Sequence, residues 1–267
     1  MKKADLSELQ DLIYGIFVEF DRVCRKYDIQ YSMEGGTLLG AVKYGDFVPW
    51  DDDIDVIMLR SEYEKFLKVA PQELQGDYFL QSYNNVSEFP LNYAKLCYKK
   101  SKICDYVYSH LTEMNHGIFM DIFPIDHVQP EKMGNQLHWI GLLTGARKMK
   151  LKIAMTGLPL WKRMCYGVAA CLPMKMLCRM MDWMCTLYNN RDAELCYEVC
   201  NSNKKFKPLP SDLYRELTEL RFRDGMFLAV SQYDEFLKSR FGENYMNELP
   251  LEENRKPSHH QNIWLEE

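Results

Sequence analysis

Four aspartates fall within five residues of this sequence: Asp51, Asp52, Asp53 and Asp55. Carboxylates this close repel one another, and a bound cation is the usual way to keep them ionised. Residues 53–58 are rich in β-branched and apolar side chains, which predicts a strand with Asp53 and Asp55 on one face. Such a pair is half of a Mg²⁺ site, because magnesium takes oxygen ligands and keeps waters and substrate phosphates in its shell.

A possible phosphate cradle comes just before these aspartates. Gly35, Gly36 and Thr37 lead into a helix predicted over residues 37–44, which Gly45 would end. Glycines allow a close approach of the backbone, and N–H groups at a helix N-terminus bind phosphate. A metal site beside a phosphate cradle indicates chemistry on a nucleotide.

An EF-hand is the competing interpretation of the acidic stretch. Its ligands would be Asp51, Asp53, Asp55 and Glu62, in a Ca²⁺-binding protein without catalytic activity. However, Val56 stands where that loop requires glycine, and the segment favours a strand.

Two later predicted strands each contain one charged residue of interest. Asp121 interrupts the apolar run 118–123, and a buried acid is costly unless it is paired or binds metal. We therefore prefer Asp121 as a third metal-site carboxylate over a cap of the following turn, and we interpret Asp126 as a loop cap. Lys95, in a strand over 93–98, is either solvated on a sheet edge or a phosphate contact.

The other elements follow from local patterns. Residues 7–27 have helical apolar spacing, and Asp5 with Glu8 can form a capping box. Ser61 with Glu64 should cap a helix that Pro71 ends. Further predictions are strands over 29–33 and 79–82, and a helix over 233–241 that ends at Gly242.

Residues 35–42 and 47–55 together resemble the signature of the LicD family of phosphocholine transferases and their relatives, in the nucleotidyltransferase superfamily. The resemblance continues over 60–66 and 116–126, is weak from 132 to 209, and returns near the end of the chain at 241–246, Leu249, Pro250, Arg255, His259 and His260. It implies an α+β fold, with a nucleotidyltransferase-like mixed β-sheet core flanked by helices and an appended helical lobe.

The resemblance also implies an activity. A phosphoalcohol, in the first instance phosphocholine from CDP-choline, would pass to a hydroxyl of a cell-envelope or lipid-linked glycan, with release of CMP. Asp53, Asp55 and Asp121 would be the catalytic residues and hold Mg²⁺, or Mn²⁺, with Asp121 as a ligand or as the base. The substrate-binding candidates are Gly35, Gly36, Thr37, Lys43, Asp51, Asp52, Lys95, His259 and His260.

One departure from the family pattern concerns the donor. Lys43 and Tyr44 stand where the family usually has Arg-His, and lysine lacks the bidentate fork of arginine. CDP-ribitol and CDP-glycerol therefore remain open. A nucleotidyltransferase that places NMP on a small substrate and releases pyrophosphate would use the same carboxylates.

Composition limits the remaining classes. The 267 residues are 47% hydrophobic and 13% aromatic, enough for a packed core, and the net charge of −5 argues against a nucleic-acid binder. The start lacks an apolar secretory segment, no apolar run is long enough to span a bilayer, and the nine cysteines form no Cys-x-x-Cys. We expect a cytoplasmic protein with reduced thiols, at most peripheral to the inner face of the membrane.

We divide the chain into a catalytic core (1–130), a basic helical lobe (131–205) and a C-terminal segment that completes the active site (206–267). The stretch from Lys132 to Met181 has no Asp or Glu. Its basic residues are Lys132, Arg147, Lys148, Lys150, Lys152, Lys162, Arg163, Lys175 and Arg179. Basic helices interleaved with aromatic residues fit an anionic membrane surface, and they equally fit a solvated face.

Overall fold

A computed structural model of the chain describes residues 2–103, 108–153, 159–189, 193–201, 206–247 and 263–265. Its helices are α1 (Leu6–Lys26), α2 (Gly35–Tyr44), α3 (Arg60–Glu73), α4 (Pro130–Lys150), α5 (Leu160–Ala170), α6 (Met174–Cys185) and α7 (Tyr233–Phe241). Its strands are β1 (Lys2–Lys3), β2 (Ser32–Met33), β3 (Asp55–Leu59), β4 (Tyr78–Gln81), β5 (Ala94–Tyr98), β6 (Ser101–Ile103), β7 (Phe119–Val128), β8 (Leu195–Tyr197), β9 (Leu209–Pro210), β10 (Leu217–Phe222), β11 (Gly225–Val230) and β12 (Ile263–Leu265).

The main sheet is mixed and has the strand order β2-β3-β7-β5-β4. β3 and β7 run parallel, and the other neighbours in this order are antiparallel. β8 continues the pairing of β7 and is itself paired with β9. A β10–β11 hairpin and a small β1-β12-β6 sheet complete the strands. The α+β prediction, a mixed sheet flanked by helices, is confirmed.

Helix α1 packs its apolar face on β5 and β7 of this sheet. The predicted capping box is present: Glu8 N–H donates to Asp5 Oδ1 (2.9 Å), and Asp5 N–H donates to Glu8 Oε2 (3.2 Å). Phe17 is fully buried and stacks on Phe227 of β11, with ring centroids 4.1 Å apart. Helix α1 therefore contacts both the main sheet and the β10–β11 hairpin. Truncation of a phenylalanine placed like Phe17 typically costs about 3–5 kcal/mol.

Helix α3 does not begin or end as predicted. Ser61 is not its cap, because β3 runs directly into the helix at Arg60 and no capping side-chain bond is made. Pro71 lies inside the last turn, which continues to Glu73. Pro71 has no N–H to donate to Leu67 O, but helical bonding resumes after it, since Leu74 N–H bonds Ala70 O (3.0 Å).

Asp126 is not a loop cap, since β7 continues through it to Val128. Its side chain is fully buried and accepts two hydrogen bonds from Arg60, at 2.8 and 2.6 Å. Asp182 of α6 lies 3.0 Å from the same guanidinium, and Asn189 donates to Asp126 at 2.6 Å. A buried acid was expected to need a partner, and the partner here is an arginine at the start of α3.

Helix α4 packs against both α5 and α6 in the predicted helical lobe. Arg147 does not belong to its basic surface, because its side chain is buried and donates to Asn92 Oδ1 at 2.6 Å. None of the helices described here has the length and apolar character needed to cross a bilayer. The division into three parts stays a prediction.

Candidate active site

The parallel pairing of β3 with β7 places Asp55 directly opposite Asp121. The backbone around Asp55 is held on both sides. Asp55 N–H donates to Thr37 Oγ1 (2.9 Å), and Glu34 N–H donates to Asp55 O (3.0 Å). Asp121 N–H in turn donates to Ile54 O (3.0 Å). Two carboxylates, from segments far apart in sequence, therefore share one end of the main sheet.

Asp51, Asp52 and Asp53, the aspartate cluster, lie just before β3. One carboxylate oxygen from each can be chosen so that all three lie within 4.8 Å of one another. Such oxygen-only donors fit Mg²⁺ or Mn²⁺ and could hold a metal ion. The strand predicted over residues 53–58 begins only at Asp55. Asp53 therefore lies in the loop before β3, and strand alternation does not set the direction of its side chain.

Gly36 lies in the first turn of α2 and faces this cluster. Helix α2 begins at Gly35, not at Thr37 as predicted, and ends at Gly45 as predicted. A Cβ on Gly36 would come within 2.3 Å of Asp51 Oδ2, so no larger residue fits without displacing that carboxylate. Gly35 has φ +51°, which favours glycine. The glycine pair thus sets the N-terminus of α2 against the carboxylates.

The crowding raises the pKa values of two carboxyls. Burial, followed by the charge of Asp53 and a hydrogen bond to it, raises the pKa of Asp51 to about 8. Burial is also the largest cause that raises the pKa of Asp55 well above its usual range. The negative charges of Asp53, Asp121, Glu198 and Asp51 add to it. A bound cation would offset this repulsion, so the electrostatics fit a metal centre.

Lys95 is not solvated on an edge. It lies in β5, an interior strand of the main sheet, with only 2% of its surface exposed. Its Nζ is 2.5 Å from Asp121 Oδ1 and 3.3 Å from the Phe119 ring centroid. An ion pair and a cation–π contact therefore place a positive charge beside the predicted third carboxylate.

The structure does not bring every predicted substrate residue to this point. Lys43 lies in the last turn of α2, with its Nζ 5.6 Å from the Tyr44 ring centroid. Lys43 lies seven positions after Gly36 in α2, so the two residues are roughly 10 Å apart along the helix axis. His259 and His260, with Arg255 and the pair Leu249-Pro250, lie outside the described residues.

The EF-hand alternative does not fit the fold. Strand β3 separates Asp55 from Glu62, which lies in α3. The Glu62 carboxylate instead accepts a hydrogen bond from Gln30 N–H at 3.1 Å. An EF-hand loop would fold all of its ligands around one ion, and a straight strand prevents that.

Sequence analysis missed two residues near the site. Glu198 follows β8, is 9% exposed, and adds its charge to those around Asp55. Glu34 precedes α2, is 7% exposed, and lies 3.0 Å from Arg240 of α7. Burial raises the pKa of Glu34 although Arg240 opposes it. Glu198 lies where the family resemblance is weak, and no local pattern joins Glu34 to Arg240.

A mixed sheet that presents carboxylates beside a glycine-opened helix N-terminus defines a nucleotidyltransferase-like enzyme. Residues 28–175 match the sequence model described as LicD/FKTN/FKRP, nucleotidyltransferase domain. The chain belongs to this family and is a transferase.

Relatives extend this likeness. The chain is 27% identical over 279 residues to the lipopolysaccharide cholinephosphotransferase LicD of Haemophilus influenzae, covering 99% of this chain and 100% of that protein. An uncharacterized protein of Rickettsia typhi is 33% identical over 79 residues, which are 29% of this chain and 26% of that protein. The ribitol 5-phosphate transferase FKRP of Homo sapiens is 54% identical over 28 residues, 10% of this chain and 6% of that protein.

Proposed function

We propose that this chain transfers a phosphoalcohol from a CDP-activated donor to a hydroxyl of a cell-envelope or lipid-linked glycan and releases CMP. Phosphocholine from CDP-choline is the first candidate, because the full-length likeness is to a cholinephosphotransferase. The observation that carries the proposal is the meeting of the aspartate cluster, Asp55 and Asp121 with the N-terminus of α2.

Asp53 and Asp55 are the proposed metal ligands, with Asp51 and Asp52 beside them and with Asp121 as a third ligand or as the base. When bound there, Mg²⁺ or Mn²⁺ would neutralise charge on the phosphates of the donor. Gly35 and Gly36 would direct the free N–H groups of α2 at the same phosphates. Thr37 already accepts the N–H of Asp55 and keeps its own hydroxyl proton for donation.

The reaction has a simple balance. The acceptor oxygen bonds to the phosphorus that carries choline, and the bond from that phosphorus to the oxygen of CMP breaks. The proton of the acceptor hydroxyl passes to a carboxylate, for which we propose Asp121. Lys95 would hold Asp121 in position through their ion pair. Positioning and electrostatics supply most of the catalysis in phosphoryl transfer.

Ribitol phosphate is the second candidate for the transferred group. The 28 residues shared with a ribitol 5-phosphate transferase are more than half identical, although they cover little of either chain. Lys43 and Tyr44, in place of the usual Arg-His, depart from the family pattern and keep this second donor open.

A thermal-shift screen tests the donor. The purified protein is heated with CDP-choline, CDP-ribitol, CDP-glycerol, CTP or CMP, each with and without Mg²⁺. A ligand at a hundredfold excess over its dissociation constant adds about 2.7 kcal/mol to the free energy of unfolding. We expect a metal-dependent shift with one CDP-alcohol and release of CMP in an assay with that donor. Shifts with CTP alone, together with release of pyrophosphate, would favour nucleotidyl transfer instead.

A further inference from the structure

Three of the five tryptophans of this chain lie exposed around one groove of the helical lobe. Trp139 of α4 is 57% exposed, Trp161 of α5 60% and Trp183 of α6 64%. The groove between them has a volume of about 870 Å³. We call it the tryptophan groove. Exposed apolar patches of this kind mark interaction surfaces.

The walls of the tryptophan groove are mainly apolar, with Leu142, Leu143, Met180 and Met184 among them. The apolar surface extends beyond the groove along α5. Leu160, Met164 and Val168 recur at four-residue steps and are 74%, 64% and 76% exposed. In α5 the one buried side chain is Tyr166. An outward apolar face of this length is not explained by packing within the described chain.

The helical lobe that carries the groove is basic. Among the residues of the helical lobe that the structure describes, the exposed basic side chains are Lys132, Lys148, Lys150, Lys152, Arg163 and Arg179. No acidic residue occurs between positions 132 and 181. The acidic residues that flank this span are Glu131 and Asp182, and Asp182 is paired with Arg60. Helices α4 to α6 therefore present apolar and aromatic groups together with an excess of basic over acidic residues.

We propose that the tryptophan groove and the outer face of α5 dock on an anionic phospholipid bilayer. Tryptophan favours the level of the lipid headgroups, and Leu, Met and Val side chains would reach the acyl boundary. Lysine and arginine around the groove would meet the anionic headgroups. A second copy of the chain fits less well, because its lobe would bring the same positive charges to the interface.

Docking goes beyond the proposed transferase activity and does not depend on it. Binding to a membrane surface needs neither donor nor metal, so it can be measured with neither present. If docking fails, the activity proposal is untouched; if the donor screen fails, the membrane result stands.

Vesicle sedimentation tests the proposal with the whole chain. We would compare phosphatidylcholine vesicles with vesicles that contain about a third of phosphatidylglycerol, at low and at high salt. We expect binding to the anionic vesicles, weak binding to the neutral ones, and loss of binding at about 1 M salt, where the Debye length falls to about 3 Å. No binding to anionic vesicles at low salt would overturn the proposal.

Paired variants locate the surface. Lys132→Gln with Arg163→Gln and Arg179→Gln, basic residues that contact or lie next to residues of the groove, should weaken anionic binding by about a hundredfold. The matched control is Lys68→Gln with Lys99→Gln and Lys102→Gln, three exposed lysines of the predicted catalytic core (1–130). This control should bind as wild type does.

Trp161→Ala with Trp183→Ala should weaken binding at least tenfold. Its control is Phe241→Ala, which removes an exposed aromatic ring at the end of α7. Vesicle binding that survives both lobe variants would place docking elsewhere and refute the proposal. A concentration-dependent dimer that the tryptophan variants abolish, with no vesicle binding, would assign the groove to a second copy and refute it as well.

Discussion

Replacement of Asp53 by asparagine should stabilise the metal-free protein while it abolishes turnover. Among the neighbouring charges, that of Asp53 has the largest effect on the pKa of Asp51, and the two carboxyl groups are also hydrogen-bonded. Asparagine keeps the shape of the side chain, removes the charge, and offers an N–H donor to Asp51. The same change removes a proposed metal ligand. The variant should therefore gain stability and lose activity, and the two are measured separately.

The size of the gain follows from the geometry. The chosen oxygens of the aspartate cluster lie within 4.8 Å of one another. Two unit charges at that distance repel by roughly 3.5 kcal/mol at an effective dielectric constant of about 20. At pH 7 Asp51 is largely protonated, because its pKa is raised to about 8, and much of this repulsion is relieved. At pH 9 Asp51 is ionised, so we expect a gain of about 1–3 kcal/mol there, or about 2–5 °C in Tm for a chain of this length.

The pH dependence has a definite sign. The folded-state pKa of Asp51 lies above its ordinary value, so the folded protein holds a proton that the unfolded chain has released. Stability of the wild type therefore falls as pH rises from about 4 to about 8. In the Asp53→Asn variant the pKa of Asp51 moves down and this fall becomes smaller.

Thermal unfolding in EDTA at pH 6 and pH 9 measures these differences, and an assay of CMP release measures turnover. Asp28→Asn is the matched control: Asp28 is exposed and has φ +50°, which asparagine tolerates. The control should change neither Tm nor turnover. A Tm for Asp53→Asn at pH 9 that does not exceed the wild-type value, or a gain of equal size at pH 6, would refute the electrostatic reasoning. Near-normal turnover would refute the role of Asp53.

Three further changes test other parts of the structure. Gly36→Ala should displace Asp51 and reduce turnover at least tenfold, whereas Gly134→Ala, where an added Cβ meets nothing within 4 Å, should leave CMP release intact and stabilise α4 by up to about 1 kcal/mol. Asp126→Ala should cost about 3–5 kcal/mol in urea unfolding, because it leaves the buried Arg60 charge without its main partner, and a loss below 1 kcal/mol would contradict this. Glu198→Gln removes one charge that raises the pKa of Asp55, so the fall of Tm with rising pH in EDTA should become smaller, while exposed Glu194→Gln should not change it.

Local signals in the sequence predicted local structure well. The capping box at Asp5 and Glu8, the end of α2 at Gly45 and the end of α7 at Gly242 all depend on residues within one helical turn. Where a neighbouring element supplies the partner, local signals failed. Ser61 had the right residue type for a cap, yet β3 runs into α3 and leaves no capping loop.

The edge alternative for Lys95 and the loop-cap interpretation of Asp126 fail for one reason. Each is a charged residue in an apolar strand, and burial of a charge depends on a partner that local sequence cannot identify. The partner of Lys95 is Asp121, opposite it on the neighbouring strand; that of Asp126 is Arg60, beyond the end of β3. The prediction of Asp121 as a third carboxylate rests on the two carboxylates upstream of it, and the register of β3 with β7 places Asp121 opposite Asp55.

The two ends of the β3–β7 pair carry different groups, and the far end connects these strands to the helical lobe. At one end they present Asp55 and Asp121. About 16 Å farther along β7, at five residues of strand rise, Asp126 bonds Arg60 at the start of α3, and Asp182 of α6 joins the same guanidinium. A buried ion cluster thus fastens the helix that carries Trp183 to the two strands that carry the carboxylates. Because such a cluster is costly to break, the tryptophan groove should keep a fixed position relative to the active site, as a surface that delivers a membrane-borne acceptor would require.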